Sequence, residues 1–121
     1  MIVLSGAHLV LPDRMLAPGT LVIDGDRIVD LRAGSASDGP GESRFDHHYI
    51  VAGFIDVHVH GVEGFDTLDN GNPVAAMAAR LPRYGVTAFC PTTVACAPDA
   101  LARTLRDVRQ ARQTRPPRAS A

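Results

Sequence analysis

Short apolar runs broken by turn residues fill the first half of the chain, and helical spacing enters only after residue 72. Ile2-Val3-Leu4 and His8-Leu9-Val10-Leu11 read as strands on either side of Ser5-Gly6-Ala7, with His8 in a structural place. Pro12-Asp13-Arg14 and Ala17-Pro18-Gly19 read as turn or loop clusters. Leu21-Val22-Ile23 and Arg27-Ile28-Val29-Asp30-Leu31 bracket Asp24-Gly25, a two-residue hairpin signal. Residues 33–46 are rich in Gly, Ser and Pro, lack periodicity and mark a soft boundary. Tyr49-Ile50-Val51 then leads into a long strand, Ala52 to His60, that stops at Gly61.

A loop from Val62 to Gly71 follows. Asn72-Pro73 starts a helix, with Asn as N-cap and Pro at the first helical position. Val74, Met77, Ala78 and Leu81 recur at helical spacing and predict its buried side. Pro82 ends or kinks it, and Gly85 suits a C-terminal cap. Val86-Thr87-Ala88-Phe89-Cys90 predicts a second strand, stopped by Pro91. Pro98-Asp99 opens a second helix with Leu101, Leu105 and Val108 as its buried stripe. Arg103, Arg106, Arg109 and Arg112 fall on its outer side, and Arg115-Pro116-Pro117-Arg118 ends it.

Candidate chemistry concentrates on the strand 52–60. Side chains alternate with period two, so Phe54, Asp56, His58 and His60 share one face. Ile55, Val57 and Val59 share the other, expected to pack on helices. Two imidazoles spaced i, i+2 at the end of one rigid strand can hold a single divalent ion. Imidazole suits zinc, iron, nickel or copper. The structural alternative is a pair of half-buried histidines bonded to nearby backbone. Asp56 weighs toward a metal, because a carboxylate in an apolar run is costly unless paired or near a cation. Gly61 adds weight by allowing a sharp exit from the strand. In parallel barrels the working groups sit at the C-terminal ends of strands, where both histidines fall.

Other candidates are weaker. Glu63, Asp66 and Asp69 lie in the following loop and could meet substrate, or be solvated, with Asp66 capping a turn. Thr92 and Thr93 end the second strand; their hydroxyls could serve a ligand or a metal-bound water, or cap a turn. His47 and His48 are adjacent, so their rings diverge and cannot chelate together. Cys90 reads as buried packing, and Cys96 has no neighbour to activate it.

Composition narrows the function classes. The net charge is −1 and hydrophobic residues make up 45%, so nothing asks for nucleic acid or a membrane as partner. All 12 basic residues are arginine, which excludes a Schiff-base lysine or a carboxylated lysine bridging two metals. Two cysteines and no signal-like start make reduced thiols and a cytoplasmic setting the expectation. At 121 residues the chain is one small domain in length, whereas a complete (β/α)₈ barrel needs about 250. A barrel reading therefore makes it the N-terminal part of something longer.

Gly53-Phe54-Ile55-Asp56-Val57-His58-Val59-His60-Gly61 resembles the metal-binding signature of the amidohydrolase superfamily. Gly61-Val62-Glu63-Gly64-Phe65-Asp66-Thr67 and Tyr84-Gly85-Val86-Thr87-Ala88-Phe89-Cys90-Pro91-Thr92 resemble its N-acetylglucosamine-6-phosphate deacetylase branch. Ala52 departs from the usual proline before Gly-Phe. The resemblance implies an α/β fold, with part of a β-sandwich over residues 1–50. The first two β/α units of a TIM-like barrel would follow over 51–121. It implies His58 and His60 as metal ligands, zinc or iron as the cofactor, and Asp56, Gly61, Asp66 and Thr92 around the site or substrate loop. The catalytic aspartate and the other ligands would lie beyond residue 121. The implied reaction turns an amino-sugar phosphate into glucosamine 6-phosphate and acetate, in a whole enzyme that is a homodimer. Gly61-Val62-Glu63 lacks the early arginine of dihydroorotases. Hydantoinase- or deaminase-like activity, or a non-catalytic remnant, are the alternatives.

Overall fold

The structure, a computed structural model, describes residues 1–35, 39 and 41–114. The chain divides into two units, Met1–Ala52 and Gly53–Ala121, and its architecture is mixed α/β.

In the first unit, β1 (Ile2–Val10), β2 (Met15–Asp24) and β3 (Arg27–Ala33) form an antiparallel meander. The short strands β4 (Glu42–Arg44) and β5 (Tyr49–Ile50) pair parallel to β1, at Val3–Ser5 and His8–Leu9. The sheet order is β3-β2-β1-β4, with β5 also on β1. Ala7, Leu9 and Leu21 form the buried centre, with Leu4, Leu16, Ile23, Phe45 and Ile50 against it. Alternation along β1 and β2 brings these side chains together.

Four details differ from the sequence reading. Ser5-Gly6-Ala7 does not interrupt β1; register shifts on both sides of Ala7 absorb the irregularity as bulges. Ala17-Pro18-Gly19 lies inside β2, because the shift between Ala7 and Leu9 leaves Pro18 outside the ladder. The β2–β3 turn is Gly25-Asp26, one residue later than Asp24-Gly25, since Asp24 pairs with Arg27. The 33–46 stretch is not all loop: β3 runs to Ala33, and β4 recruits Glu42–Arg44. Residues 36–38 and 40 of that stretch lie outside the described residues, as does the predicted helix stop at 115–118.

In the second unit, β6 (Phe54–Val59) pairs parallel with β9 (Val86–Pro91). Between them come a small hairpin, β7 (Gly61–Val62) and β8 (Phe65–Asp66), helix α1 (Pro73–Ala78) and a 3₁₀ turn (Leu81–Tyr84). Helix α2 (Pro98–Gln113) follows β9. This is a right order for a βαβ unit, whose parallel strands require a crossover. Pro73 starts α1, although the Asn72 side chain makes no capping bond. Pro82 converts the continuation into a 3₁₀ turn, which Gly85 closes in the left-handed region at φ 75°. Among the described residues of this unit, Val59, Pro73, Val74, Met77 and Leu81 are buried apolar side chains.

Several expectations fail here. Ile55 and Val57 are each 71% exposed, so of the predicted stripe only Val59 is covered. Helix α1 packs on β8 and α2, not over the start of β6. Helix α2 presents a different face: Thr104 is buried, Val108 is half-buried, and Leu101 and Leu105 are exposed. Its inward side carries Ala100, Thr104 and Ala111, with the Thr104 hydroxyl donating to the Thr67 carbonyl at 3.0 Å. It also carries half-buried Arg103, which is not on the outer side but donates to the Leu68 carbonyl at 3.1 Å. Cys90 is exposed, not packed. Among the described residues no helix is long and apolar enough to cross a membrane.

Candidate functional site

Strand β6 does not run as a regular ladder to its end. Asp56 pairs with Phe89 and Val59 with Pro91, so Val57 and His58 together oppose Cys90. This bulge frees the His58 backbone N–H, which donates to Asp56 Oδ1 at 3.1 Å. Asp56 is thereby satisfied locally. Its carboxylate shapes the backbone that carries His58, an answer to its cost in an apolar run that needs no cation.

The two rings converge. His58 Nε2 and His60 Nε2 are 3.0 Å apart, with ring centroids at 4.8 Å and planes at 77°. His60 Nδ1 lies 3.0 Å from the carbonyl oxygen of Thr92. A carbonyl only accepts, so Nδ1 carries the proton and Nε2 offers a lone pair. The Nε2–H of His58 then donates to it. Two nitrogens at that spacing can both reach one ion at the usual zinc–imidazole length of about 2.0–2.1 Å. The donor pair therefore fits a divalent cation. Among the described residues no group of three His, Cys, Asp or Glu converges to hold an ion.

The remaining candidates take other roles. The Thr92 hydroxyl donates to the Cys90 carbonyl at 3.0 Å, the turn-capping alternative, while its carbonyl orients His60. Asp66 accepts the Leu68 N–H at 2.8 Å and its own N–H donates to Asp69 Oδ2 at 2.8 Å, so both carboxylates fix a turn. Gly61 serves through space, not through a left-handed backbone: a Cβ there would collide with the Phe65 carbonyl across the hairpin. His47 and His48 are exposed in a turn, and His48 Nδ1 bonds the Asp46 carbonyl at 2.9 Å.

The loop expected after Gly61 begins as a tight hairpin. Glu63 (φ 50°) and Gly64 (φ 82°) both sit in the left-handed region, as a type I′ turn demands. An X-Gly pair flanked by Val62 and Phe65 carries that signal in the sequence. Glu63 is tied down by Arg80 and Arg83, each at 3.3 Å, and by the Tyr84 hydroxyl at 3.0 Å. Arg80 also stacks over Phe65, 4.0 Å from the ring centroid. These contacts fix the hairpin against the 3₁₀ turn.

Tyr84 donates to Glu63, and with the carboxylate charge beside it this pushes the phenol above the ordinary value of 10.0. A raised folded pKa means the contact stabilises fully below about 10 and is lost as pH rises through the raised value. Tyr49→Phe leaves Tyr84 as the one tyrosine to titrate by tyrosinate absorbance. Its midpoint is expected to fall back toward 10.0 when Glu63→Gln is added.

Thr67 enters the sequence reading only as the last residue of the stretch 61–67, with no role of its own, yet it is 1% exposed and lies beside His60. Its hydroxyl donates to the same Thr92 carbonyl at 2.8 Å, and its N–H donates to the His60 carbonyl at 2.8 Å.

No family model matches the sequence. Human N-acetylglucosamine-6-phosphate deacetylase is 34% identical over 90 residues, 71% of this chain and 20% of the human protein. The rat enzyme is 41% identical over 63 residues, 49% of this chain and 15% of its own length. A crystal structure of N-acetyl-D-glucosamine-6-phosphate deacetylase from Mycobacterium smegmatis superposes with a TM-score of 0.79 at 28% identity. It covers 94% of this chain and 33% of that one. A mutant of that enzyme in complex with N-acetyl-D-glucosamine-6-phosphate gives 0.78, over 93% and 30%. The chain is similar to part of an N-acetylglucosamine-6-phosphate deacetylase. Sequence and fold agree on this, and the matched stretch spans a third or less of each relative's length.

Proposed function

We propose that this chain is the N-terminal, cation-holding portion of a metal-dependent N-acetylglucosamine-6-phosphate deacetylase. The observation that carries the reading is the 3.0 Å approach of two Nε2 atoms at the end of a parallel strand. It gains support from the likeness to deacetylases over nearly the whole fold. In this reading residues 1–50 contribute part of a β-sandwich, and 51–121 the first two β/α units of a TIM-like barrel.

His58 and His60 would hold a divalent cation, one of the metals that imidazole donors suit and, by the resemblance to the deacetylase branch, zinc or iron. The chemistry such a cation supplies is Lewis-acid polarisation of an amide carbonyl and acidification of water. The chain's own residues prepare the place. The Thr92 carbonyl keeps the proton of His60 on Nδ1, so that Nε2 keeps its lone pair. The Asp56 carboxylate holds the bulge that turns His58 toward its partner. The Glu63 ion pairs fix the hairpin that leaves the strand beside them. An amino-sugar phosphate is the proposed substrate. Proton transfer and the further ligands fall to residues outside this sequence, and a cytoplasmic homodimer is the proposed setting of the whole enzyme.

Acetate release from N-acetylglucosamine 6-phosphate tests the proposal. The 121 residues alone are expected to release none with added zinc or iron(II). The product of the same reading frame extended past residue 121 is expected to release acetate, and to stop on His58→Ala/His60→Ala. An inactive extended product loaded with either metal, or turnover by the 121 residues alone, contradicts the reading.

A further inference from the structure

We infer that Thr67 is a positioning residue for the histidine pair, acting through the Thr92 carbonyl to fix the ring of His60. The inference rests on the cation-holding reading of His58 and His60. It begins from a shared acceptor. The Thr92 carbonyl oxygen receives two donors, His60 Nδ1–H at 3.0 Å and Thr67 Oγ1–H at 2.8 Å. A carbonyl has two lone pairs, so these two bonds fill it.

Each member of the arrangement is held from another side. The Thr92 N–H donates to the Val59 carbonyl at 2.8 Å, which anchors the end of β9 to the end of β6. The Thr67 N–H donates to the carbonyl of His60 itself, and the Thr67 carbonyl accepts the Thr104 hydroxyl from α2 at 3.0 Å. Thr67 is 1% exposed, so no solvent competes for its hydroxyl proton. The carbonyl that faces His60 is therefore aimed from two sides: Thr92, just past β9, is tied to the end of β6, and Thr67, just past β8, is tied to His60 and to α2.

The consequence falls on the tautomer. Were the His60 proton on Nε2, the bare Nδ1 would face a carbonyl oxygen at 3.0 Å, lone pair against lone pair. A carbonyl held in place forbids that state. One free to tilt away permits it, and the proton then sits on the nitrogen a cation would need. Outer partners of metal-ligating histidines act in this way, and their loss typically weakens metal affinity about 10–100-fold.

The test compares Thr67→Val, which keeps the shape and removes the hydroxyl, with Thr67→Ser, which keeps the hydroxyl. Two quantities are read on the full 121-residue chain. The first is the His60 tautomer without metal, from long-range ¹H–¹⁵N imidazole correlations at a pH where the ring is neutral. The second is zinc affinity by competition with a chromophoric chelator. The native chain and T67S are expected to hold the Nδ1–H form, with T67V shifting toward Nε2–H and binding zinc about 10–100-fold more weakly. T67V with the native tautomer, T67S as impaired as T67V, or a T67V chain that has lost its far-UV dichroism each overturns the inference. Should the native chain bind no zinc, the cation-holding reading fails. The tautomer comparison still decides the role of Thr67.

Discussion

Replacing His58 and His60 together by alanine is expected to abolish zinc binding, lowering affinity by at least about 100-fold. Loss of a single outer partner costs about 10–100-fold, and this variant removes the donors themselves. The two nitrogens approach to 3.0 Å because the bulge at Val57-His58 and the Thr92 carbonyl aim the rings at one point. Either imidazole alone is an ordinary single ligand, so each single variant should retain a weak fraction of the binding. His47→Ala/His48→Ala removes the same number of imidazoles from a turn where they do not converge, and is expected to bind as the native chain does. Isothermal titration of the three proteins with zinc reads the difference. Equal loss in both double variants would mean that the metal meets surface histidines without regard to geometry.

The second large effect concerns the apolar core of the unit that carries the strand. Met77 is 0% exposed on α1 and is buried together with Val59, Val74 and Leu81. Truncation of such a residue costs about 2–5 kcal/mol, transfer and cavity together. Met77→Ala is therefore expected to destabilise by that amount and shift the urea midpoint strongly downward. Leu105→Ala is expected to stay within about 0.5 kcal/mol, because a surface side chain contributes little. Leu105 is 59% exposed, although helical spacing makes it a core position. A Leu105→Ala loss as large as that of Met77→Ala would return α2 to the orientation its leucines suggest.

That contrast shows where the sequence was legible. Local signals carried well: Pro73 opened α1, Gly85 closed the 3₁₀ turn, and the strand run 54–59 leads to two histidines whose Nε2 atoms come within 3.0 Å. Signals that depend on partners carried less. The Leu101-Leu105-Val108 stripe and the Ile55-Val57 face state what a helix or strand wants to bury. They do not say whether the covering surface lies within these residues. Pro18 reads as a turn until the bulges that excuse it are seen in β1–β2 pairing. Backbone chemistry was the least legible. Thr92 acts by a carbonyl that every residue has, and the Thr67 hydroxyl matters only because burial and register bring it to that carbonyl, which no local pattern in the sequence states.

X-ray absorption at the zinc edge, on the native chain loaded with one equivalent of zinc, tests the central claim most directly. Two imidazole nitrogens at about 2.0–2.1 Å are predicted, both absent from the His58→Ala/His60→Ala chain. A shell of oxygen with one imidazole or none would contradict the account.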